Sequence, residues 1–105
     1  MPKYAPANVF GNPYLQSYNG GTRITVGTDG TVINVPKNTN AAILSVSGAA
    51  LYYKINGTTA LEADNSCGAI PNGGVHVLPP MDNLETLALV GSGTATVAYI
   101  QYFWV

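Results

Sequence analysis

The residues of this 105-residue chain that could do chemistry are few: one histidine, one cysteine and five acids. His76 stands between Val75 and Val77 in a short strand-like run. A histidine working as a general base needs a nucleophile beside it or a carboxylate to orient it, and no G-x-S-x-G, H-E-x-x-H or Cys-His pattern surrounds this one. It reads as an ordinary surface or packed histidine. Cys67 has no second cysteine to pair with, and one His plus one Cys falls short of the three or four ligands of a zinc site. The acids are Asp29, Glu62, Asp64, Asp82 and Glu85. Glu62-x-Asp64, followed by Asn65, has the oxygen-rich character that calcium prefers but lacks the Asp/Asn ladder and glycine of a calcium loop, so it reads as loop solvation. Glycoside hydrolysis needs two carboxylates facing across a cleft, which dispersed acids in a small domain do not furnish. Gly91-Ser92-Gly93 has the composition of a phosphate loop, yet a strand-like run follows it instead of a helix. Asn56-Gly57-Thr58 matches a glycosylation sequon; with no apolar secretion stretch in MPKYAPANVF, it reads as a turn. These shortages predict a protein that is not an enzyme, with no catalytic residues, no metal and no cofactor.

Composition narrows the partners. Charged residues are 9% of the chain, against roughly 25% in an average soluble protein, so its polar surface must come from Thr, Asn, Ser and Gly. With 47% hydrophobic residues and a net charge of -1, the chain lacks the signature of disorder and is expected to fold. The four basic residues, Lys3, Arg23, Lys37 and Lys54, are scattered, whereas phosphate neutralisation needs them clustered. No nucleic acid is expected as a partner. No membrane is expected either, because no run approaches the ~20 apolar residues of a span. A chain this short buries a modest share of its surface, which favours help from partner subunits.

The elements that must position these residues are strands. Residues 1–21, MPKYAPANVFGNPYLQSYNGG, carry Pro2, Pro6 and Pro13 and single aromatics at Tyr4, Phe10, Tyr14 and Tyr18, with no sustained period of 2 or 3.6. They read as an extended arm. Ordering such an arm costs roughly 1 to 2 kcal/mol per residue, while each buried aromatic returns roughly 2 to 3 kcal/mol, so the arm either stays mobile or lies along a surface that also supplies hydrogen bonds: its own domain, a sister subunit or another protein. From Thr22 the chain changes to short β-rich runs separated by turn signals. Thr22–Val26 and Thr31–Val35 flank Gly27-Thr28-Asp29-Gly30 and are expected to form a hairpin. Ala41–Ser47 and Ala49–Ile55 are separated by Gly48, and alternation predicts that Leu51, Tyr53 and Ile55 face inward. Residues 58–68 suggest a loop with one short strand. Val75–Leu78 ends at Pro79-Pro80, which cannot continue a central ladder. Leu84–Val90 and Thr94–Trp104, joined by Gly91-Ser92-Gly93, are expected to form a second hairpin. No window shows helical periodicity.

The C-terminal run is the most apolar. Val97, Tyr99 and Phe103 share one face, and Ile100, Tyr102 and Trp104 the other, so both faces need cover. One reading puts one face in the core and shields the other with the arm or a loop. A second reading makes Ile100, Tyr102 and Trp104 a subunit interface, where Tyr and Trp are favoured anchors. The fold class expected is all-β: an antiparallel, jelly-roll-like β-sandwich of about eight strands over residues 22–105, with an extended arm over 1–21.

The segments AAILSVSGAALYYKINGTTA and IPNGGVHVLPPMDNLETLALVGSGTATVAYIQYFWV resemble small β-sandwich virion proteins of tailed bacteriophages, most of all the head decoration (cement) proteins. The resemblance implies a virion protein on the capsid surface, a homo-oligomer (trimer or dimer) whose partner is the major capsid protein. On that reading the arm makes the contact through Tyr4, Phe10, Tyr14 and Tyr18. Two rival readings are a carbohydrate- or receptor-binding module, with Tyr52 and Tyr53 as the stacking pair, and a tail or connector protein of the same virion.

Overall fold

Alternating apolar and polar residues between Gly, Pro and Asn turns can bury one face as strands and cannot do so as helices. The computed structural model describes residues 17–59 and 67–104, and in these it has eight strands and no helix. They are β1 (Ser17–Thr25), β2 (Thr31–Asn34), β3 (Ala41–Ser47), β4 (Leu51–Ile55), β5 (Gly68–Ile70), β6 (Val75–Leu78), β7 (Thr86–Gly91) and β8 (Val97–Trp104). Two four-stranded sheets result, ordered β1-β8-β3-β6 and β2-β7-β4-β5, with every pairing antiparallel. This is the strand order of a jelly roll, and the sandwich expected from the sequence is the one formed.

Neither expected hairpin forms. β1 and β2 lie in different sheets, as do β7 and β8, so the Asp29-Gly30 and Gly91-Ser92-Gly93 turns are corners between sheets. The two corners satisfy each other: the Val26 N–H donates to the Thr96 carbonyl at 2.8 Å, and the Gly91 N–H to the Gly27 carbonyl at 2.7 Å. Backbone groups that a hairpin would pair locally are therefore paired between loops. Sequential neighbours pair in one case only, β4 with β5, and β5 begins where the expected loop ends.

β1 starts within the segment read as arm. Ser17 and Tyr18 pair with Trp104 and Phe103, and the register shifts before Gly21 pairs with Gln101. Gly20, with a φ of 97°, takes up this bulge at a backbone angle that other residues rarely adopt. The bulge is what breaks the period-2 pattern in the sequence. Tyr18 packs edge-on against Phe103, ring centroids 5.9 Å apart. Tyr4, Phe10 and Tyr14 lie outside the described residues.

Between the sheets lie Leu44 and Val46 of β3, Leu51 of β4, Leu87 and Leu89 of β7, and Ile100 and Tyr102 of β8, all buried. Tyr53 and Ile55 pack against the same cluster, so the Leu51 face is inward as its alternation predicts. The face of β8 chosen as a subunit interface is corrected here: Ile100 is 2% exposed and Tyr102 fully buried in the sandwich, while Trp104, at the strand end, is 53% exposed. A tyrosine can occupy this core because its hydroxyl donates to Thr22 Oγ1 at 2.9 Å.

Burial pushes the Tyr102 phenol above the ordinary tyrosine value of 10.0, opposed in part by the Thr22 hydrogen bond, and it pushes Tyr53 in the same direction. Both groups therefore hold their protons more tightly folded than unfolded. Their stability contribution is complete below pH 10 and is lost as pH rises from about 10 through the folded values. Thermal melts should show a falling midpoint above pH 10. Tyr102→Phe should make that fall shallower; an equally steep fall in the variant would rule out Tyr102 as a source.

Candidate functional site

Among the described residues, those that could do chemistry are not gathered into a site. His76 pairs in register with Leu44 and turns inward at the β6 edge, where its Nε2 lies 2.8 Å from the Tyr53 hydroxyl. The two rings, 5.3 Å apart, bridge the two sheets at their β5/β6 edge. His76 is thus a packed histidine with a tyrosine partner. Cys67 packs beside Val32 and Tyr52 over Ala88 and Val90, on the outside of the β2-β7-β4-β5 sheet. Among the described residues, no three His, Cys, Asp or Glu side chains come close enough to share a metal ion. Glu62 and Asp64 lie outside the described residues. Tyr52 and Tyr53, the pair considered for sugar stacking, point to opposite faces of β4: one joins the outer cluster and the other the core. They form no platform.

Asn56, read from the sequence as a turn residue, does more. At a φ of 58° its Oδ1 accepts from the N–H groups of Glu85 (2.8 Å) and Thr86 (3.3 Å), and its Nδ2 donates to the Asn83 carbonyl. It clamps the end of β4 to the connection before β7. Asn56→Ala should cost about 2 kcal/mol in urea unfolding, from the lost hydrogen bonds and left-handed strain. Asn56→Gly, free of the strain, should cost less. Equal losses would assign the whole effect to the side-chain bonds.

The surface with the strongest binding character is the outer face of the β1-β8-β3-β6 sheet. Cross-strand register arranges it in rows: Tyr18, Phe103 and Ala41; then Gly21, Gln101, Ile43 and Val77; then Arg23, Tyr99, Ser45 and Val75; then Thr25, Val97 and Ser47. Arg23 is the one charged residue in these rows. Tyr18 is 64% exposed, Val75 65% and Tyr99 39%, and Trp104 adds its ring at the end of the sheet. Tyr18, Arg23, Ser45, Tyr99 and Gln101 surround an open groove of about 510 Å³ over Gly21. The Arg23 guanidinium sits 5.6 Å from the Tyr99 ring centroid, a cation–π geometry. Side-chain hydrogen bonds from Arg23 and Ser47 hold the Tyr99 phenol below the usual tyrosine range. A second recess, of about 450 Å³, lies between Tyr18, Asn19, Asn38 and Trp104 where the chain enters β1. The aromatics of β8 do not distinguish its two faces, since Tyr99 and Phe103 lie on one and Tyr102 on the other. Gln101 does distinguish them, because an amide between Ile100 and Tyr102 marks the odd-numbered residues as outward.

Comparison with known proteins finds no matching family model, no similar curated protein and no similar solved structure.

Proposed function

We propose that this chain is a structural virion protein, a capsid decoration protein that binds the outer surface of the major capsid shell and stabilises it. The observation that carries the reading is the placement of Tyr18 and Trp104, 64% and 53% exposed, on either side of the point where residues 1–16 join β1. The sequence places three further aromatics, Tyr4, Phe10 and Tyr14, in the residues that precede these exposed rings. The near absence of charge on the adjoining sheet face and the resemblance of residues 41–60 and 70–105 to cement proteins support the same reading.

The test is to add purified protein to capsids lacking it and image the particles. Density on the outer shell is the expected result; a bare shell across protein concentration and salt would remove the proposal. Removal of the arm should stop at Gln16, because deletion through Gly21 would take more than half of β1. The protein without residues 1–16 is expected to keep its β circular-dichroism signal and lose shell binding. Binding through apolar anchors and added strands should vary by less than about threefold between 50 and 500 mM salt, since few charges are present to be screened.

A further inference from the structure

We infer that the outer face of the β1-β8-β3-β6 sheet binds a carboxylated oligosaccharide, with an acidic sugar over Arg23 and Tyr99 and the next sugar of the chain against Trp104. Two recesses meet at Tyr18. The larger, of about 510 Å³, is lined by Arg23, Ser45, Tyr99 and Gln101, and the smaller, of about 450 Å³, by Asn19, Asn38 and Trp104. Each therefore sets an exposed aromatic ring, Tyr99 or Trp104, beside side-chain amides. That pairing suits a sugar, because the ring covers its C–H face while an amide both donates to and accepts from its hydroxyls. Two such recesses sharing one wall suit two linked sugars.

The difference between the recesses supplies the charge. Arg23, exposed in the larger one, has no acid in that lining to neutralise it. A carboxylate is the planar anion that matches a guanidinium fork. Arg23 is already held over Tyr99 at 5.6 Å, so little side-chain freedom is left to lose when the anion docks. Gly21 keeps the floor bare: a Cβ there would stand 3.0 Å from both the Tyr18 hydroxyl and the Ile100 carbonyl oxygen. In the smaller recess the Asn19 amide is fixed in place, its Nδ2 donating to the Lys37 carbonyl at 3.1 Å and to Thr39 Oγ1 at 2.8 Å. An acidic peptide fits this face less well. The central strands β8 and β3 spend their backbone groups on the strands that flank them, so a peptide laid across them finds no ladder to join.

The test applies the full chain to an array of uronate- and sialate-bearing oligosaccharides, their carboxyl-reduced counterparts and acidic peptides of equal charge, where dense display offsets a weak single site. Binding to the acidic oligosaccharides is expected, and at least about tenfold less to the carboxyl-reduced ones. Arg23→Gln should erase that preference, and Tyr99→Ala should weaken all saccharide binding about tenfold or more, with the thermal midpoint of each nearly unchanged. Trp104→Ala should weaken binding of the oligosaccharides while sparing single acidic sugars. Lys54→Gln, which removes an exposed charge from the other sheet, should change nothing. Silence on every acidic saccharide overturns the inference, as does equal binding to the carboxyl-reduced forms or to the peptides. So does binding that survives both Arg23→Gln and Tyr99→Ala. Shell imaging fails separately: a chain that binds the saccharides and leaves the shell bare would overturn the decoration reading alone.

Discussion

Gly48→Ala is expected to lose about 3 kcal/mol or more of stability, a large share of the roughly 5 to 15 kcal/mol that holds a small domain folded. Gly48 occupies the corner between β3 and β4 at a φ of 86°, where an L side chain costs roughly 1 to 2 kcal/mol by itself. The added Cβ would also land on the Ala95 carbonyl oxygen of the β7–β8 corner. That oxygen cannot withdraw cheaply, because the two corners are tied together: the Ser92 N–H donates to the Ala50 carbonyl at 2.9 Å and the Ala50 N–H to Ser92 Oγ at 3.0 Å. Thermal denaturation should show a midpoint at least ~12 °C lower, at roughly 4 to 8 °C per kcal/mol for a domain of this size. A midpoint within a few degrees of the parent would mean that the corners can move apart, contrary to the packing described.

The second large effect separates the two faces of β8. Tyr102→Ala should cost about 3 to 5 kcal/mol, since it empties a fully buried aromatic site and strands the Thr22 hydroxyl without its donor. Tyr99→Ala, three residues earlier on the opposite face, should change monomer stability by less than about 1 kcal/mol, because its ring is part-exposed and its hydrogen bonds can pass to water. Chemical denaturation of the two variants side by side decides it. Comparable losses would mean that the outer face is packed within the monomer.

The sequence was most legible where period and punctuation agree. The strands at Ala41–Ser47 and Val75–Leu78 and the inward turn of Leu51 follow from alternation between Gly, Pro and Asn boundaries, and these are local properties of the chain. What could not be read locally is which strands pair. Asp29-Gly30 and Gly91-Ser92-Gly93 have good hairpin chemistry, yet the same residues turn equally well at a corner between sheets, and the choice depends on partners far away in sequence. Which face of β8 is buried is likewise not a local property. Tyr102 looked amphipathic enough for an interface, while its burial depends on Thr22, a partner eighty residues away. The outer-face groove was invisible for the same cause, since Tyr18, Arg23 and Tyr99 become neighbours only through the β1–β8 pairing.

That pairing also bears on how the protein comes to be made. The first described strand of the chain lies against the last, and β8 separates β1 from β3 in their sheet. A chain made from its N-terminus can therefore assemble neither β1 nor the centre of this sheet until β8 has been made. Folding of this sheet must wait for β8, and pairing strands so distant in sequence places the rate in the millisecond-to-second range of sandwich proteins. Until then the apolar residues of β3 have no neighbour on that side, and crowding by other unfinished copies is the hazard that synthesis must outrun.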